Sequence, residues 1–327
     1  MDADAPVIAE VIRSGFTESR HRVSLVALAA DGSELLRAGD PAVGVYPRSA
    51  NKPLQAAGML ACGLDLTGKL LALAAASHSG EDFHVGGVRE ILAGAGLSED
   101  ALRCPPALPL AEHAMIALLR SGGQAGRVYM NCSGKHAAML ATCVRAGWPT
   151  GTYLDPGHPL QVALRQTAQR LAGEPVTAVG VDGCGAPLFA LSLAGLARSF
   201  RALVLSPPES AERRVADAMR AHPDWTSGSG RPERALMDAV PGLLLKAGAE
   251  GVEAFALPDG RAAAFKVEDG AARARPAVTV ALLRALGADA AAGVDSAGLE
   301  RVGTIPVTGG GRVVGGIRVQ LPARDLR

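Results

Sequence analysis

Ser49 and Lys52 are the residues whose types and spacing point most directly to chemistry. They form a Ser-x-x-Lys pair, and residues three apart on a helical turn share a face, so the lysine amine can reach the serine hydroxyl. A neutral lysine can act as general base and turn a weak alcohol into a nucleophile. This requires a lysine pKa below the ordinary value of about 10.4, which burial or a neighbouring cation such as Arg48 can provide.

The residues after Ser49 have the features of a helix start. Pro53 is tolerated in a first helical turn, where backbone N–H groups lack intrahelical partners, and an apolar pattern continues from Leu54. Ser49 would then lie near the positive end of the helix dipole, where an oxyanion is stabilised. The structural alternative is that Ser49 caps the helix and Lys52 is solvated, which is the commoner reason for an isolated Ser-x-x-Lys.

Three apolar segments end in glycine-containing polar loops, at residues 76–81, 131–136 and 181–185. Catalytic groups often lie on such loops, although turns favour the same residue types for structural reasons. Cys132, His136 and Cys184 are of types that bind zinc, but no Cys-x-x-Cys or His-Glu-x-x-His motif supports a site. Most buried cysteines are simply small apolar residues, and Lys135 would ligate only as a neutral amine.

Composition predicts a globular protein that acts on small molecules. The chain has 327 residues, of which 48% are hydrophobic, with 33 Lys and Arg against 32 Asp and Glu. This balance, without basic runs, predicts neither a nucleic-acid nor a membrane partner. No apolar window of about 18 residues is present, and the acidic start at residues 1–4 is unlike a signal peptide, so we expect a cytoplasmic protein. Five scattered cysteines argue against a disulfide framework.

Hydrophobic periodicity predicts strands near both ends of the chain and helices between them. This order favours an α+β or mixed α/β layered architecture, in which the terminal strands pair in one antiparallel sheet. We expect one large domain over residues 1–327, or two closely joined lobes. The predicted strands are 24–30, 34–36, 127–130, 176–181, 251–256, 262–267 and 313–319; the predicted helices are 53–60, 70–76, 85–95, 137–146, 158–171, 208–221, 233–239 and 278–286.

Taken together, the polar segments resemble the class 3, rhizobial-type L-asparaginases. They occur in the family's order over nearly the whole chain, which makes the set specific although one motif alone is not. The matching segments are residues 19–23, 48–53, 76–79, 131–136, 182–184, 243–249, 266–270 and 308–310.

This resemblance implies a layered fold related to the serine β-lactamases and glutaminases, with an antiparallel sheet and flanking helices. It also implies a homodimer that hydrolyses L-asparagine to L-aspartate and ammonia. Two Ser-Lys tandems are implied: Ser49 as nucleophile with Lys52, and Ser77 with Lys246, which help to move protons. No spacing in the sequence pairs Ser77 with Lys246.

The resemblance further implies a zinc ion on Cys132, Lys135 and Cys184 that supports substrate binding more than the chemistry.

Asp182 and Arg48 match positions that contact substrate or the polar network of the site, and His136 lies beside them. A carboxylate such as Asp182 can hold the α-ammonium group of an amino acid. Arg48 either keeps Lys52 deprotonated or anchors the α-carboxylate, and the sequence leaves both roles open.

Three other functions remain open at this point. A penicillin-recognising hydrolase expects Ser-Asp-Asn and Lys-Thr-Gly motifs after Ser-x-x-Lys, and neither occurs. A serine glutaminase or another small-amide hydrolase differs mainly in pocket length, and one methylene is worth only about 1–3 kcal/mol. A non-catalytic zinc-binding protein, in which Ser49 is a helix cap, would unfold on chelation.

Overall fold

The computed structural model describes residues 5–322, and the acidic start at residues 1–4 lies outside them. Contacts divide the chain into two units. The first combines the described parts of Met1–Ala50 and Ala235–Arg327 with Leu191–Leu205, and the second combines Asn51–Ala190 with Ser206–Arg234.

Runs of strands are followed by runs of helices along the described residues. The strands are β1 (Val7–Arg13), β2 (Phe16–Leu28), β3 (Glu34–Ala38), β4 (Gly44–Val45), β5 (Val179–Val181), β6 (Pro187–Phe189), β7 (Leu191–Ser192), β8 (Leu244–Ala247), β9 (Val252–Ala256), β10 (Ala262–Val267), β11 (Pro306–Gly309) and β12 (Arg312–Val319). The helices are α1 (Lys52–Ala61), α2 (Gly68–Ala74), α3 (Asp82–Gly94), α4 (Glu112–Arg120), α5 (Ser133–Ala146), α6 (Pro159–Ala172), α7 (Leu193–Leu205), α8 (Ala211–Ala221), α9 (Pro223–Thr226), α10 (Pro232–Ala239), α11 (Arg275–Ala285) and α12 (Ser296–Gly303).

The first unit is organised around an antiparallel sheet with the strand order β11-β12-β1-β2-β10-β9-β8, and β3 pairs with β2. Strands from the two ends of the sequence meet in it, because β1 pairs with β12 in a register that places Ala9 opposite Val319. The predicted mixed α/β class with an antiparallel sheet is therefore confirmed, although the strand that pairs with β12 is β1, which is not among the predicted strands.

Two helices cover this sheet. Helix α7 packs against β2, β9 and β10, and α11 packs against β9, β12 and α12. Every residue of β9 is buried, and the core beneath these helices includes the buried side chains of Leu25, Phe200, Phe255 and Phe265. The sheet is thus a rigid base for the strand ends and the turns beside them.

The second unit consists mainly of helices with a short β5–β6 hairpin. Helix α1 packs against α5, α6 and α8, while α2 packs against α3, α5, α8 and α9. Glycines allow two of these close approaches. A Cβ atom at Gly58 would lie 2.8 Å from Leu164 Cδ2, and one at Gly134 would lie 2.6 Å from the carbonyl oxygen of Leu73.

Several local predictions differ from the structure; strand β2, for example, begins at Phe16 rather than at residue 24. The predicted strand at residues 127–130 is wrong, because Arg127–Tyr129 form a 3-10 turn. The valine and tyrosine there favour strands, but the pairing beside this segment is an isolated bridge between Ala107 and Gly126, and Val128 is the buried residue of the turn. Helix α5 begins at Ser133 rather than at Ala137, which places a polar segment in its first turn.

Candidate active site

Ser49 lies in a 3-10 turn, Arg48–Asn51, that leads directly into α1 at Lys52. We call this turn the Ser49 turn. Pro53 occupies the first turn of α1, as the sequence predicts. The backbone is strained here, since Arg48 has φ +50°, a region that non-glycine residues seldom adopt. The Arg48 guanidinium lies 3.8 Å from the carboxylate of Glu250. The backbone of Glu250 also has a positive φ, +57°.

The end of β8 packs against the Ser49 turn within the first unit. A Cβ atom at Gly248 would lie 2.3 Å from the carbonyl oxygen of Pro47 and 3.3 Å from the amide nitrogen of Ala50. Only a glycine allows this approach. Lys246, two residues earlier on β8, is buried, and its ammonium group donates to the carbonyl oxygen of Ala247 at 2.9 Å.

Lys52 belongs to the interior of the second unit. Its side chain is 1% exposed, so the alternative of a solvated lysine is wrong. The Nζ atom donates to the Ser77 hydroxyl at 3.1 Å and to the carbonyl oxygen of Ala76. Lys52, three residues after Ser49, therefore contacts the serine that the resemblance pairs with Lys246.

His78, next to Ser77, is held as a neutral ring. Its Nδ1 accepts from the Gly80 amide at 3.1 Å, so the proton lies on Nε2, which donates to Ser133 Oγ at 2.8 Å. Ser133 in turn donates to the carbonyl oxygen of Val128 at 2.7 Å. Burial lowers the pKa of His78 well below its usual value, and the neighbouring His84 and Lys52 lower it further.

The cysteines and lysine of the predicted zinc site meet in the second unit. Cys132 precedes α5, Lys135 lies in its first turn, and Cys184 follows β5. The Lys135 ammonium lies 3.1 Å from Cys184 Sγ, and that sulfur lies 3.8 Å from Asp182 Oδ2. The sequence places Cys132 and Cys184 far apart, so only tertiary packing brings these groups together.

The pKa values of Cys132, Lys135 and Cys184 depend on one another. The hydrogen bond from Cys184 lowers the pKa of Cys132, against the effect of burial, and the charges of Lys52 and Lys135 lower it further. Burial alone would lower the pKa of Lys135, but the charges of Cys184 and Cys132 raise it instead. The same thiol-to-thiol hydrogen bond raises the pKa of Cys184, and burial raises it further. The pKa values of the two thiols are therefore shifted in opposite directions, with Cys132 the more acidic of the pair.

His136 presents a fixed hydrogen-bond donor beside this cluster. Its Nδ1 lies 2.7 Å from the Tyr153 hydroxyl, which also accepts from the Arg103 amide at 3.1 Å. Burial raises the pKa of Tyr153, so the hydroxyl stays protonated and donates a hydrogen bond to Nδ1. The His136 proton therefore lies on the buried Nε2, beside Cys184. Burial lowers the pKa of His136, and the hydrogen bond with Cys184 opposes this. Sequence reasoning missed Tyr153, because residues 149–157 read as a connection.

The chemistry of these donors fits zinc. Two thiols and a neutral imidazole are groups that zinc prefers, and the His136 imidazole lies beside Cys184. No group of three His, Cys, Asp or Glu side chains in residues 5–322 is arranged to hold a metal. The set therefore depends on Lys135, which would bind as a neutral amine after releasing its proton.

The predicted site residues divide between the two units. Arg48, Ser49 and Lys246 lie in the first, and Lys52, Ser77, Cys132, Lys135, His136, Asp182 and Cys184 lie in the second. Within the second unit the structure joins Lys52 to Ser77, and Lys135 to Cys184.

A family model described as L-asparaginase II matches residues 9–319. The chain belongs to the L-asparaginase II family. This confirms the resemblance drawn from the ordered polar segments and shows an amidohydrolase of the asparaginase type, acting on an amide substrate. Among curated proteins, a search found no match.

Solved structures with some similarity include two of a protein named Mglu and a β-lactamase (Mb2281c) from Mycobacterium bovis. The Mglu structure in 4.3 M NaCl has 16% identity, a TM-score of 0.42, and coverage of 86% of this chain and 65% of its own. A second native Mglu structure has 16% identity and a TM-score of 0.43, covering 88% of this chain and 69% of its own. The β-lactamase has 18% identity and a TM-score of 0.45, with 80% and 94% covered.

These similarities are too distant to assign any site residue. The chain spans 65% of the length of the first Mglu structure. No helix in residues 5–322 is both long enough and apolar enough to cross a membrane.

Proposed function

We propose that this member of the family hydrolyses L-asparagine to L-aspartate and ammonia, with Ser49 as the nucleophile. The observation that carries the proposal is the buried Lys52 amine, which follows Ser49 by three residues and donates to the Ser77 hydroxyl at 3.1 Å. A buried lysine that contacts a serine hydroxyl is suited to proton transfer rather than to solvation. Family membership supplies the reaction class, and the geometry supports the choice of residues.

The reaction needs a nucleophile, a base and donors for an oxyanion. In the proposed first step, Lys52 accepts the Ser49 proton as Ser49 Oγ attacks the side-chain carbonyl carbon. The oxyanion collapses, the C–N bond breaks, and the proton passes to the leaving ammonia. A water molecule then attacks the carbonyl carbon of the acyl-serine, the bond between this carbon and Ser49 Oγ breaks to release L-aspartate, and a proton from the water returns to Ser49 Oγ through the lysines. Ser77 and Lys246 extend this proton path.

Substrate recognition is proposed to use three further side chains. The Asp182 carboxylate holds the α-ammonium group of L-asparagine. His136 Nε2–H, which the Tyr153 hydroxyl orients, donates to a substrate oxygen. Arg48 either anchors the α-carboxylate or keeps Lys52 deprotonated.

We propose that a zinc ion binds here, with Cys132, Lys135 and Cys184 as its ligands. When bound, it would supply a fixed positive charge that favours anionic substrate groups. The chain's own contribution is to hold the two sulfurs and the amine together at the start of α5 and after β5. A homodimer in the cytoplasm completes the proposal.

The deciding experiment is ammonia release from L-asparagine and L-glutamine by the wild type and Ser49→Ala. Ser199→Ala is a matched control, because Ser199 is buried and donates to the Gly195 carbonyl oxygen within a helix. We expect Ser49→Ala to lose turnover while Ser199→Ala keeps it. Retained turnover in Ser49→Ala would exclude this nucleophile. A preference for L-glutamine would change the substrate, and inactivity of the wild type on both amides would remove the proposed reaction.

Zinc is tested separately by elemental analysis of protein purified without chelator. We expect bound zinc in the wild type and in Cys143→Ser, and none in Cys184→Ser. Cys143 is a buried cysteine outside the proposed ligand set. Zinc-free wild type would remove the metal site without removing the amidase proposal. Size-exclusion chromatography with light scattering tests the homodimer.

A further inference from the structure

The loop that carries Ser77 is fastened to a segment far along the chain. The Ser77 loop comprises residues 75–81, between α2 and α3. The Ser77 amide donates to the carbonyl oxygen of Thr226 at 3.2 Å, and Ser79 Oγ donates to that of Ser227 at 2.9 Å. Two alternate residues of the Ser77 loop thus donate hydrogen bonds to two successive residues, the last residue of α9 and the one that follows it.

Glu81 and Gly228 complete this contact. The Ser229 amide donates to Glu81 Oε2 at 2.9 Å. Gly228 has φ +130°, and a Cβ atom there would lie 2.2 Å from Ser79 Oγ, 2.6 Å from Ser79 Cβ and 2.8 Å from Glu81 Oε2. The 226–229 segment therefore lies directly on the Ser77 loop, and only glycine fits at its closest point.

The contact is buried on the side of the Ser77 loop. Ser77 is 9% exposed, Ser79 1% and Glu81 7%. Breaking one of these hydrogen bonds would leave a polar group that water cannot readily reach, which costs more than the bond itself contributes. These buried hydrogen bonds therefore favour a single conformation of the Ser77 loop.

We infer that the 226–229 segment positions Ser77 for proton transfer, with Ser79, Glu81 and Gly228 as positioning residues. The inference rests on the proposed role of Ser77. The segment bonds to the backbone of Ser77 itself, and the Ser77 hydroxyl is within 3.1 Å of Lys52 Nζ. A shift of about 1 Å would break that contact, and such misplacement can cost about 10²-fold in rate.

The sharpest test compares Gly228→Ala with Gly230→Ala. Both glycines have positive φ, but a Cβ atom at Gly230 would meet nothing within 4 Å. Both variants place a side chain at a positive φ, +130° at position 228 and +72° at position 230, and only Gly228→Ala also pushes against the Ser77 loop. We expect kcat to fall about 10²-fold in Gly228→Ala relative to Gly230→Ala, with KM nearly unchanged. Equal kcat values in the two variants would overturn the inference.

A milder pair of variants covers the case in which Gly228→Ala does not fold. Ser79→Ala removes a single hydrogen bond to a backbone carbonyl, and Ser199→Ala removes a comparable one at 2.8 Å inside a helix. We expect kcat to fall about two- to tenfold in Ser79→Ala and to stay constant in Ser199→Ala. Hydrogen exchange of residues 75–81 should accelerate only in Ser79→Ala. Unchanged exchange there would contradict the inference.

Ser77→Ala separates failure of the inference from failure of the proposed function. If Ser77→Ala keeps full kcat, the proposed role of Ser77 fails and the positioning inference fails with it. If Ser77→Ala loses turnover while the Gly228 and Gly230 variants stay equal, the role of Ser77 stands and the positioning inference alone is overturned. Loss in both Ser77→Ala and Gly228→Ala supports the two together.

Discussion

The two serine segments of the molecule are held in place by different means. The Ser49 turn carries strained backbone at Arg48 and packs against β8 through Gly248. The Ser77 loop is held by hydrogen bonds to the 226–229 segment and by the Lys52 amine. Ser49 thus lies on a strained, tightly packed turn of the first unit, whereas Ser77 is positioned by polar contacts inside the second, helical unit.

This difference follows from the packing and the hydrogen-bond partners that are available to each segment. The turn before α1 needs a precise entry angle, and strain such as that at Arg48 persists only where surrounding packing over-determines it. The Ser77 loop has no regular structure of its own, so its buried polar groups must find partners from distant segments. Variants that act on strain should therefore affect the first segment, and variants that remove polar contacts should affect the second.

The largest effect is expected from Lys52→Met, which tests whether one amine serves both segments. Methionine keeps an unbranched stem in the buried site but removes the donor to Ser77 and Ala76. We expect kcat/KM for amide hydrolysis to fall about 10²- to 10⁴-fold, because a general base is lost. The control is Lys69→Met, since Lys69 is exposed. Full activity in Lys52→Met would reduce Lys52 to a support for the loop.

Gly248→Ala should break the packing of the Ser49 turn. The new methyl group would meet the backbone of Pro47 and Ala50, which cannot rotate away, so we expect a loss of about 1–3 kcal/mol in unfolding free energy and lower kcat. Gly309→Ala is the control, because a Cβ atom there meets only ordinary contacts at 3.5 Å or more. Urea unfolding and ammonia release measure both effects. Equal losses in the two variants would exclude a special role for this contact.

Glu250→Gly separates strain from charge at the Ser49 turn. Glycine accepts the positive φ, so we expect a gain of about 1 kcal/mol in stability. Ser14→Gly should give a similar gain, because Ser14 has φ +49°. Only Glu250→Gly removes the carboxylate 3.8 Å from Arg48, so it alone should change KM or kcat.

Glu250→Gln keeps the strain and removes the charge. If it reproduces the kinetic change of Glu250→Gly, the ion pair is responsible. If Glu250→Gln matches the wild type while Glu250→Gly does not, backbone strain is responsible.

The smallest effect is expected from pH on the helical unit, where His84 is buried beside the Ser77 loop. Burial lowers the pKa of His84, although the Asp224 carbonyl and the Glu81 charge oppose this. The unfolded chain therefore binds more protons below about pH 6.5, so stability present above that pH decreases as the pH falls. Melting temperatures between about pH 7.5 and 5.5 should fall less in His84→Gln than in the wild type. Identical slopes would show that His84 does not contribute.

Several features could be predicted from sequence because they depend on neighbouring residues. The start of α1 follows from proline in the first turn and from the apolar pattern after it. Strand β10 has the predicted bounds, Ala262–Val267, since a run of buried apolar residues favours a strand. Residues 127–130 were wrongly predicted as a strand, and Arg127–Tyr129 form a 3-10 turn. Strand propensity is overridden where the adjacent pairing is only an isolated bridge.

The contacts of the site required the tertiary structure. The sequence could not pair Lys52 with Ser77, 25 residues away, nor His136 with Tyr153, 17 residues away. The 226–229 segment meets the Ser77 loop across 148 residues, and neither segment contains a recognised motif that points to the other.

The sequence by itself determined the reaction class, the mixed α/β architecture and the residue types available for catalysis. These properties follow from ordered motifs and from local periodicity, which the chain carries wherever it folds. Only the tertiary structure decided which lysine contacts which serine, which imidazole nitrogen holds the proton, and which distant segment fixes the Ser77 loop. Such pairings depend on how buried polar groups are satisfied after the helices and strands have packed.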